Sequence, residues 1–338
     1  MRIAKNVLRL EAYVPGEQPK CGNVVKLNTN ENPYPPSPKA AKILASFDPD
    51  RLRRYPDPNF TELREAIARR NGTTADRVFV GNGSDEILSL AAKAFVENDG
   101  SIGSLDPSYS LYKTLAAIRD VPWKASRKCS LFLWTNPNAP TGTFAPVEEI
   151  AKFAKRFKGV VIVDEAYADF ARDNAMRLAT AEENKNLIVM RTFSKSYSLA
   201  GLRVGYAVGP KDLINALFKV KDSYNVDAIA QAVALAAYKD QGWMKRNAAK
   251  IKKTRTFLTK ELEKRGWDVP PSEANFVFAK PPEGGPDAKA TFEALKERKI
   301  FTRYFAGAKT GDRIRITVGT DEQTRILLEA IDAIHKQA

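Results

Sequence analysis

A single histidine and two cysteines among 338 residues remove much of the usual catalytic vocabulary. His335 stands three residues from the end of the sequence, where a fraying tail would not hold a base in place. Ser-His-Asp, Cys-His and histidine-metal mechanisms are therefore set aside. Cys21 and Cys129 form neither a disulfide framework nor a metal-ligand spacing, which predicts a reducing, cytoplasmic setting and no metal site. No apolar run is long enough to span a bilayer, since the longest, 228–238, is broken by Gln231. Residues 1–15 carry no apolar core of a secretory signal. Gly81-Asn82-Gly83 follows a strand-like run, but Glu86 stands where a dinucleotide fingerprint needs its third glycine. No Gly-Lys-Ser/Thr follows, so a P-loop is absent as well. Any proton transfer must fall to Lys, Tyr, Asp or Glu.

What is present is a globular composition, 43% hydrophobic and 28% charged, with a net charge of +14. The basic residues are interleaved with acids, and the densest run, 245–255, reads as the wet face of one helix. The excess therefore suits small anionic ligands better than nucleic acid. Residues 1–40 are proline-rich and read as irregular. From 42 onward strands and helices alternate: strands near 77–80, 102–105, 131–134, 160–164, 187–191 and 204–208, helices at 61–71, 84–97, 147–157 and 211–222. Continuously apolar strands such as Val160-Val161-Ile162-Val163 predict a mostly parallel sheet with helices on both faces. A long helix from about 243 leads into strands at 275–279 and 313–318 and helices at 287–298 and 321–335. The expected architecture is α/β: a large domain, 42–242, and a smaller α+β domain made of 1–41 and 243–338.

The most informative stretch is 191–209. Lys195 follows the apolar run Leu187-Ile188-Val189-Met190, hydroxyls flank it at Thr192, Ser194, Ser196 and Ser198, and Arg203 comes eight residues on. This arrangement suits a Schiff-base lysine beside a phosphate cradle, although a loop lysine is also commonly just solvated. Ser84 and Asp85 open a helix, where free N–H groups favour a phosphate; an ordinary N-cap is the plainer reading. Asp164 ends the 160–164 strand, at the carboxyl edge where open parallel sheets bind ligands. It could face a pyridinium nitrogen with Tyr167 beside the ring, or hold magnesium in a nucleic-acid-dependent ATPase, which the missing P-loop lysine argues against. Asn136-Pro137-Asn138-Ala139-Pro140-Thr141-Gly142 is a rigid turn at another strand end, and Tyr109 offers a ring for stacking.

Taken together, these motifs resemble the pyridoxal-phosphate-dependent aminotransferases of classes I and II, and among them the histidinol-phosphate aminotransferases. The resemblance extends through Tyr13-Val14-Pro15-Gly16, Asn28-Thr29-Asn30-Glu31-Asn32-Pro33-Tyr34, Arg54-Tyr55-Pro56-Asp57, Glu273-Ala274-Asn275-Phe276, Arg303-Tyr304-Phe305 and Arg315-Ile316-Thr317-Val318-Gly319-Thr320. It implies a fold-type-I enzyme in which Lys195 carries the covalent link to pyridoxal 5'-phosphate. Ser84, Asp85, Thr192, Ser194 and Arg203 would hold the phosphate, with Tyr55 reaching in from the partner of a homodimer. Tyr109 would stack on the ring, Asp164 would pair with its nitrogen, and Tyr167 would contact its phenolic oxygen. Tyr13, Asn30, Arg303 and Arg315 would receive a small anionic amine substrate, with 2-oxoglutarate as acceptor. The implied reaction is transamination in histidine biosynthesis. An aromatic or broad-specificity aminotransferase and a threonine-phosphate decarboxylase share the same site, and a basic nucleic-acid-binding protein on a degenerate enzyme fold is the reading from another class. One position departs from the family: the asparagine that usually precedes Pro-Thr-Gly is Ala139 here, leaving Asn138 or Asn136 to substitute, or Tyr167 to act alone.

Overall fold

A computed structural model of the chain describes residues 2–10, 16–19 and 22–336. Its centre is a seven-stranded sheet ordered Val78–Gly81, Gly205–Val208, Leu187–Thr192, Val160–Asp164, Leu131–Thr135, Ile102–Ser104, Trp123–Lys124. Gly205–Val208 runs antiparallel to both its neighbours, and the five strands beyond it are mutually parallel. Side chains alternate across a strand, so each apolar run feeds two cores. Val161, Val163, Phe132, Trp134 and Val189 enter one, while Ile162, Leu131, Leu133, Ile188 and Met190 enter the other. Helices Ser84–Phe95, Leu111–Ile118 and Lys211–Val220 cover the second face. Thr61–Arg70, Val147–Arg156, Ala228–Lys239 and the start of Gln241–Lys264 cover the first.

A third core gathers Leu27, Leu258, Trp267, Val277, Ile300, Ile316, Leu327 and Ile331. It lies around a three-stranded antiparallel sheet ordered Arg303–Tyr304, Ile314–Thr317, Phe276–Ala279. The N-terminal segment joins this unit, because Val25–Lys26 pairs in parallel with Ile300–Phe301. The expected cuts at 41/42 and 242/243 both fall inside helices, Pro38–Ala45 and Gln241–Lys264. The longer helix serves both units: Met244, Ala248 and Ile251 pack in the first core, Leu258 and Leu262 in the third.

The irregular reading of 1–40 misses the start of that first helix. Pro38 sits in its first turn and the Ser37 hydroxyl accepts from the Lys39 N–H at 3.1 Å, a proline-and-serine helix start rather than a break. The interrupted apolar run becomes the helix Ala228–Lys239, with Asp227 accepting the Ala230 N–H at 2.8 Å. His335 is helical rather than part of an irregular tail. It lies in the helix Asp321–Lys336 with its ring edge-on to Trp267, 5.8 Å between centroids, and stays outside the main cavity. Among the described residues no helix is long and apolar enough to cross a membrane, and no His/Cys/Asp/Glu group is arranged to hold a metal ion.

Candidate active site

Neighbouring strands of the large sheet end in polar residues on one edge. Thr135 is in register with Asp164, and Thr192 with Gly205, which in turn faces Gly81. A cavity of about 800 Å³ opens above this edge, between the large sheet and the smaller unit. Ser84, Asp85, Tyr109, Asp164, Tyr167, Thr192, Ser194, Lys195 and Arg203 line it from the large side, with Asn30, Arg303 and Arg315 from the small side.

Lys195 follows immediately on the loop after Leu187–Thr192, and its Nζ donates to the Thr29 carbonyl at 3.1 Å. Loss of solvent around the amine lowers its pKa from the ordinary lysine range to about 8. The Arg315 and Arg203 charges push the same way, while Glu31 and Asp85 oppose them. Asp164 is buried and accepts from the Tyr112 hydroxyl at 2.8 Å and the Ala166 N–H at 3.1 Å. Burial pushes its pKa up to about 6 despite those two donors. A cation placed against it would bring the carboxylate back to full ionisation.

The helix Ser84–Phe95 begins at Gly83 with no side chain capping its first N–H groups, so the ordinary N-cap by Ser84 or Asp85 is not formed. The Asn82 N–H instead donates to Glu86, at 2.6 Å, leaving the first turn open to an anion. Arg203, at φ 56°, turns its guanidinium across this helix start, 3.3 Å from Asp85. Thr192 and Ser194 complete the concavity, their hydroxyls 3.0 Å apart.

In the smaller unit Arg303 and Arg315 are directly opposite on adjacent antiparallel strands. Both line the same cavity, so this wall carries two guanidinium groups side by side. Arg315 also donates to the Asn28 carbonyl at 2.9 Å and lies over the rings of Phe276 and Phe305. Asn30 donates to the Tyr167 hydroxyl at 2.9 Å.

Asn136, Asn138 and Tyr55 do not line the cavity. Asn138 is buried in its turn, with its amide held by Ser108 at 2.8 Å, the Pro107 carbonyl at 3.0 Å and Thr141 at 2.9 Å, so it does not reach the cavity. Asn136 is likewise spent on the backbone of Ala145. The two asparagines stabilise the turn, and of the three only Ala139 lines the cavity. Tyr55 is 80% exposed and stacks on Tyr224, ring centroids 4.3 Å apart. Tyr13 lies outside the described residues.

Sequence reasoning passed over Tyr112, whose hydroxyl holds Asp164; it sits in the first turn of Leu111–Ile118, just after Tyr109, and its ring meets that of Tyr109 edge-on. It also passed over Lys309, which pairs with Asp106 at 2.9 Å, both residues lining the cavity. Nothing in the local sequence connects residues so far apart.

The sequence profile of the aminotransferases of class I and II matches residues 22–331. The histidinol-phosphate aminotransferase 1 of Nostoc sp. is 45% identical over 342 residues, covering 96% of each chain. The histidinol-phosphate aminotransferase of Gluconacetobacter diazotrophicus is 44% identical, covering 97% of this chain and 96% of its own. In fold, the chain is similar to the crystal structure of histidinol-phosphate aminotransferase from Sinorhizobium meliloti in complex with pyridoxal-5'-phosphate. That likeness has a TM-score of 0.89 at 24% identity over 99% of this chain and 98% of the other. With the profile spanning most of its length and relatives this similar end to end, the chain belongs to the class I and II aminotransferase family.

Proposed function

We propose that this protein transfers the amino group of L-histidinol phosphate to 2-oxoglutarate with pyridoxal 5'-phosphate as cofactor, giving imidazole acetol phosphate and L-glutamate. The observation that carries the reading is Lys195, an amine of lowered basicity set between Asp164 and the Thr192, Ser194 and Arg203 cradle. The residues present fit the cofactor. A Cβ on Gly205 would come within 2.7 Å of the Ser84 nitrogen, and one on Gly83 within 2.8 Å of the Arg203 guanidinium. Glycine at both positions keeps the concavity open for a phosphate. Asp164 would pair with the ring nitrogen, Tyr167 with the ring oxygen, and Tyr109 would stack on the ring.

When bound, the cofactor supplies an electron sink for the carbanion formed at the substrate Cα. The chain's own residues do the rest. Lys195 Nζ is the base that takes the Cα proton, and its lowered pKa keeps a useful fraction unprotonated near neutrality. Asp164, charged by its ionic partner, keeps the ring nitrogen protonated. Arg303 and Arg315 receive the substrate phosphate and, in the return half-reaction, a carboxylate, since the guanidinium fork pairs with either. The choice of donor rests on this paired cation site together with relatives of 44 and 45% identity that carry the histidinol-phosphate name.

A half-reaction screen tests it. L-Histidinol phosphate should convert the bound cofactor to its amine form well ahead of histidinol, phenylalanine and tyrosine. Equal rates with histidinol phosphate and histidinol would leave a broad-specificity aminotransferase, and release of carbon dioxide from threonine phosphate would make it a decarboxylase.

We further propose a cytoplasmic homodimer in which Tyr55 reaches the partner's phosphate site, a role that suits its exposed position against Tyr224. Losing one charge-assisted hydrogen bond costs about 1.5–3 kcal/mol, so Tyr55→Phe should loosen the cofactor roughly tenfold or more. Hybrids of Tyr55→Phe and Lys195→Ala protomers should contain one site with both residues and one with neither. Activity equal to the plain average of the parents would remove Tyr55 from the partner's site.

A further inference from the structure

Around Tyr167 the hydrogen bonds form a chain with one direction. The backbone N–H of Asn30 donates to the Thr317 hydroxyl at 3.0 Å. That hydroxyl, its oxygen already accepting, donates its own proton to Asn30 Oδ1 at 3.0 Å. The amide is thereby oriented so that Nδ2 donates to the Tyr167 hydroxyl at 2.9 Å. All three residues are at most 7% exposed, so water does not substitute for any link. Asn275 holds the backbone of Asn30 from the other side, donating to its carbonyl at 3.0 Å. Asn30 itself sits at φ 56°, a conformation asparagine adopts more readily than most residues.

A hydroxyl that accepts from Asn30 points its own hydrogen away from Asn30, and Tyr167 lines the cavity. In the neighbouring turn Ala139 lines the cavity, while Asn136 and Asn138 are committed to the turn itself. We infer that Asn30 is a positioning residue rather than a substrate contact, and that the Thr317–Asn30 pair sets Tyr167 as a hydrogen-bond donor toward the ring oxygen of the bound cofactor. The inference rests on the cofactor reading above. It also ties the two units together: Thr317 and Asn30 belong to the smaller unit and Tyr167 to the large sheet, so the donor is oriented only when the smaller unit is seated.

The readout is the pH midpoint of the bound cofactor's visible absorbance in the purified holoenzyme. A donor at the ring oxygen stabilises negative charge there and weakens that oxygen's hold on the proton it shares with the neighbouring nitrogen. Losing the donor therefore raises the midpoint. Tyr167→Phe should raise it by about one to two pH units, the worth of a hydrogen bond to a charged group. Thr317→Val, which keeps the shape and removes the hydroxyl, should raise it by about 0.4 to 1.1 units, as should Asn30→Gly, which tolerates the positive φ. Thr317→Ser should leave it in place. The charged groups around the site, Lys195, Asp164, Glu31, Asp85, Arg203 and Arg315, are the same in all these variants, so the shift reports the hydrogen bond. Wild-type midpoints in Thr317→Val and Asn30→Gly, beside a raised one in Tyr167→Phe, would overturn the role of Asn30 and spare the reading of Tyr167. An unmoved midpoint in Tyr167→Phe would sink the ring-oxygen assignment and this inference with it.

Discussion

Replacing Lys195 with alanine is expected to cut turnover by at least roughly four orders of magnitude, the upper range for loss of a positioned acid-base group, with the loss of covalent attachment added. The fold should survive. Among the described residues the Lys195 amine donates to the Thr29 carbonyl, and its lowered pKa records the cost of desolvating its charge. Removing it relieves that cost, so the thermal midpoint of the cofactor-free protein should stay level or rise slightly. Borohydride treatment of wild type should abolish the visible band and label one peptide, the one containing Lys195. Label on another lysine would overturn the assignment. The pKa also sets a pH dependence. Only the neutral amine attacks an aldehyde, and the neutral form dominates above about 8. At pH 7.5 about a quarter of molecules carry it, against about one in a thousand at the ordinary value of 10.5. Cofactor capture by cofactor-free protein should therefore accelerate as pH rises toward 8 and level off beyond it.

Arg315→Lys is the second large effect, expected to slow both half-reactions by about 10- to 150-fold, the equivalent of about 1.5–3 kcal/mol for a lost charge-assisted pairing. Lysine keeps the charge and loses the planar fork, and it lacks the guanidinium face that lies over Phe276 and Phe305. The visible band of the cofactor should remain, because Arg315 reaches the cavity from the small unit, on the Ile314–Thr317 strand. Arg303→Ala should harm the phosphorylated donor more than glutamate. Arg315→Ala carries a further consequence: removing a cation that depresses Lys195 should move the midpoint of cofactor capture upward from about 8. If Arg315→Lys matches wild type in both half-reactions, the arginine braces the small unit and does not bind substrate.

Strong local patterns were legible in advance. The apolar runs Val160–Val163 and Leu187–Met190 are strands because both their faces are buried, and a run apolar at every position shows that directly. That Lys195, Arg203 and Ser84 share one cavity was legible because each sits beside a strand end or helix start on the same sheet edge. The turn 136–142 was harder. Its asparagines looked like cofactor contacts, yet a tight turn must satisfy its own backbone and side chains first, and Asn136 and Asn138 do that.

By itself the sequence determined the chemistry available to this protein. One histidine outside the cavity leaves lysine, tyrosine and carboxylates as the acid-base groups, and the alternation of apolar runs leaves a mostly parallel sheet whose edge presents Asp164 and Thr192. Only the tertiary structure decided which distant groups act on one another. Arg303 and Arg315 become neighbours through strand register. Tyr112 meets Asp164, and Asn30 meets Tyr167 from 137 residues away. The pKa values of Lys195 and Asp164 belong to the same level, because desolvation is produced by residues packed in from remote parts of the chain. Spacing along a chain records local geometry, whereas the direction of a hydrogen bond and the exclusion of water exist only after the two units have closed around the same cavity.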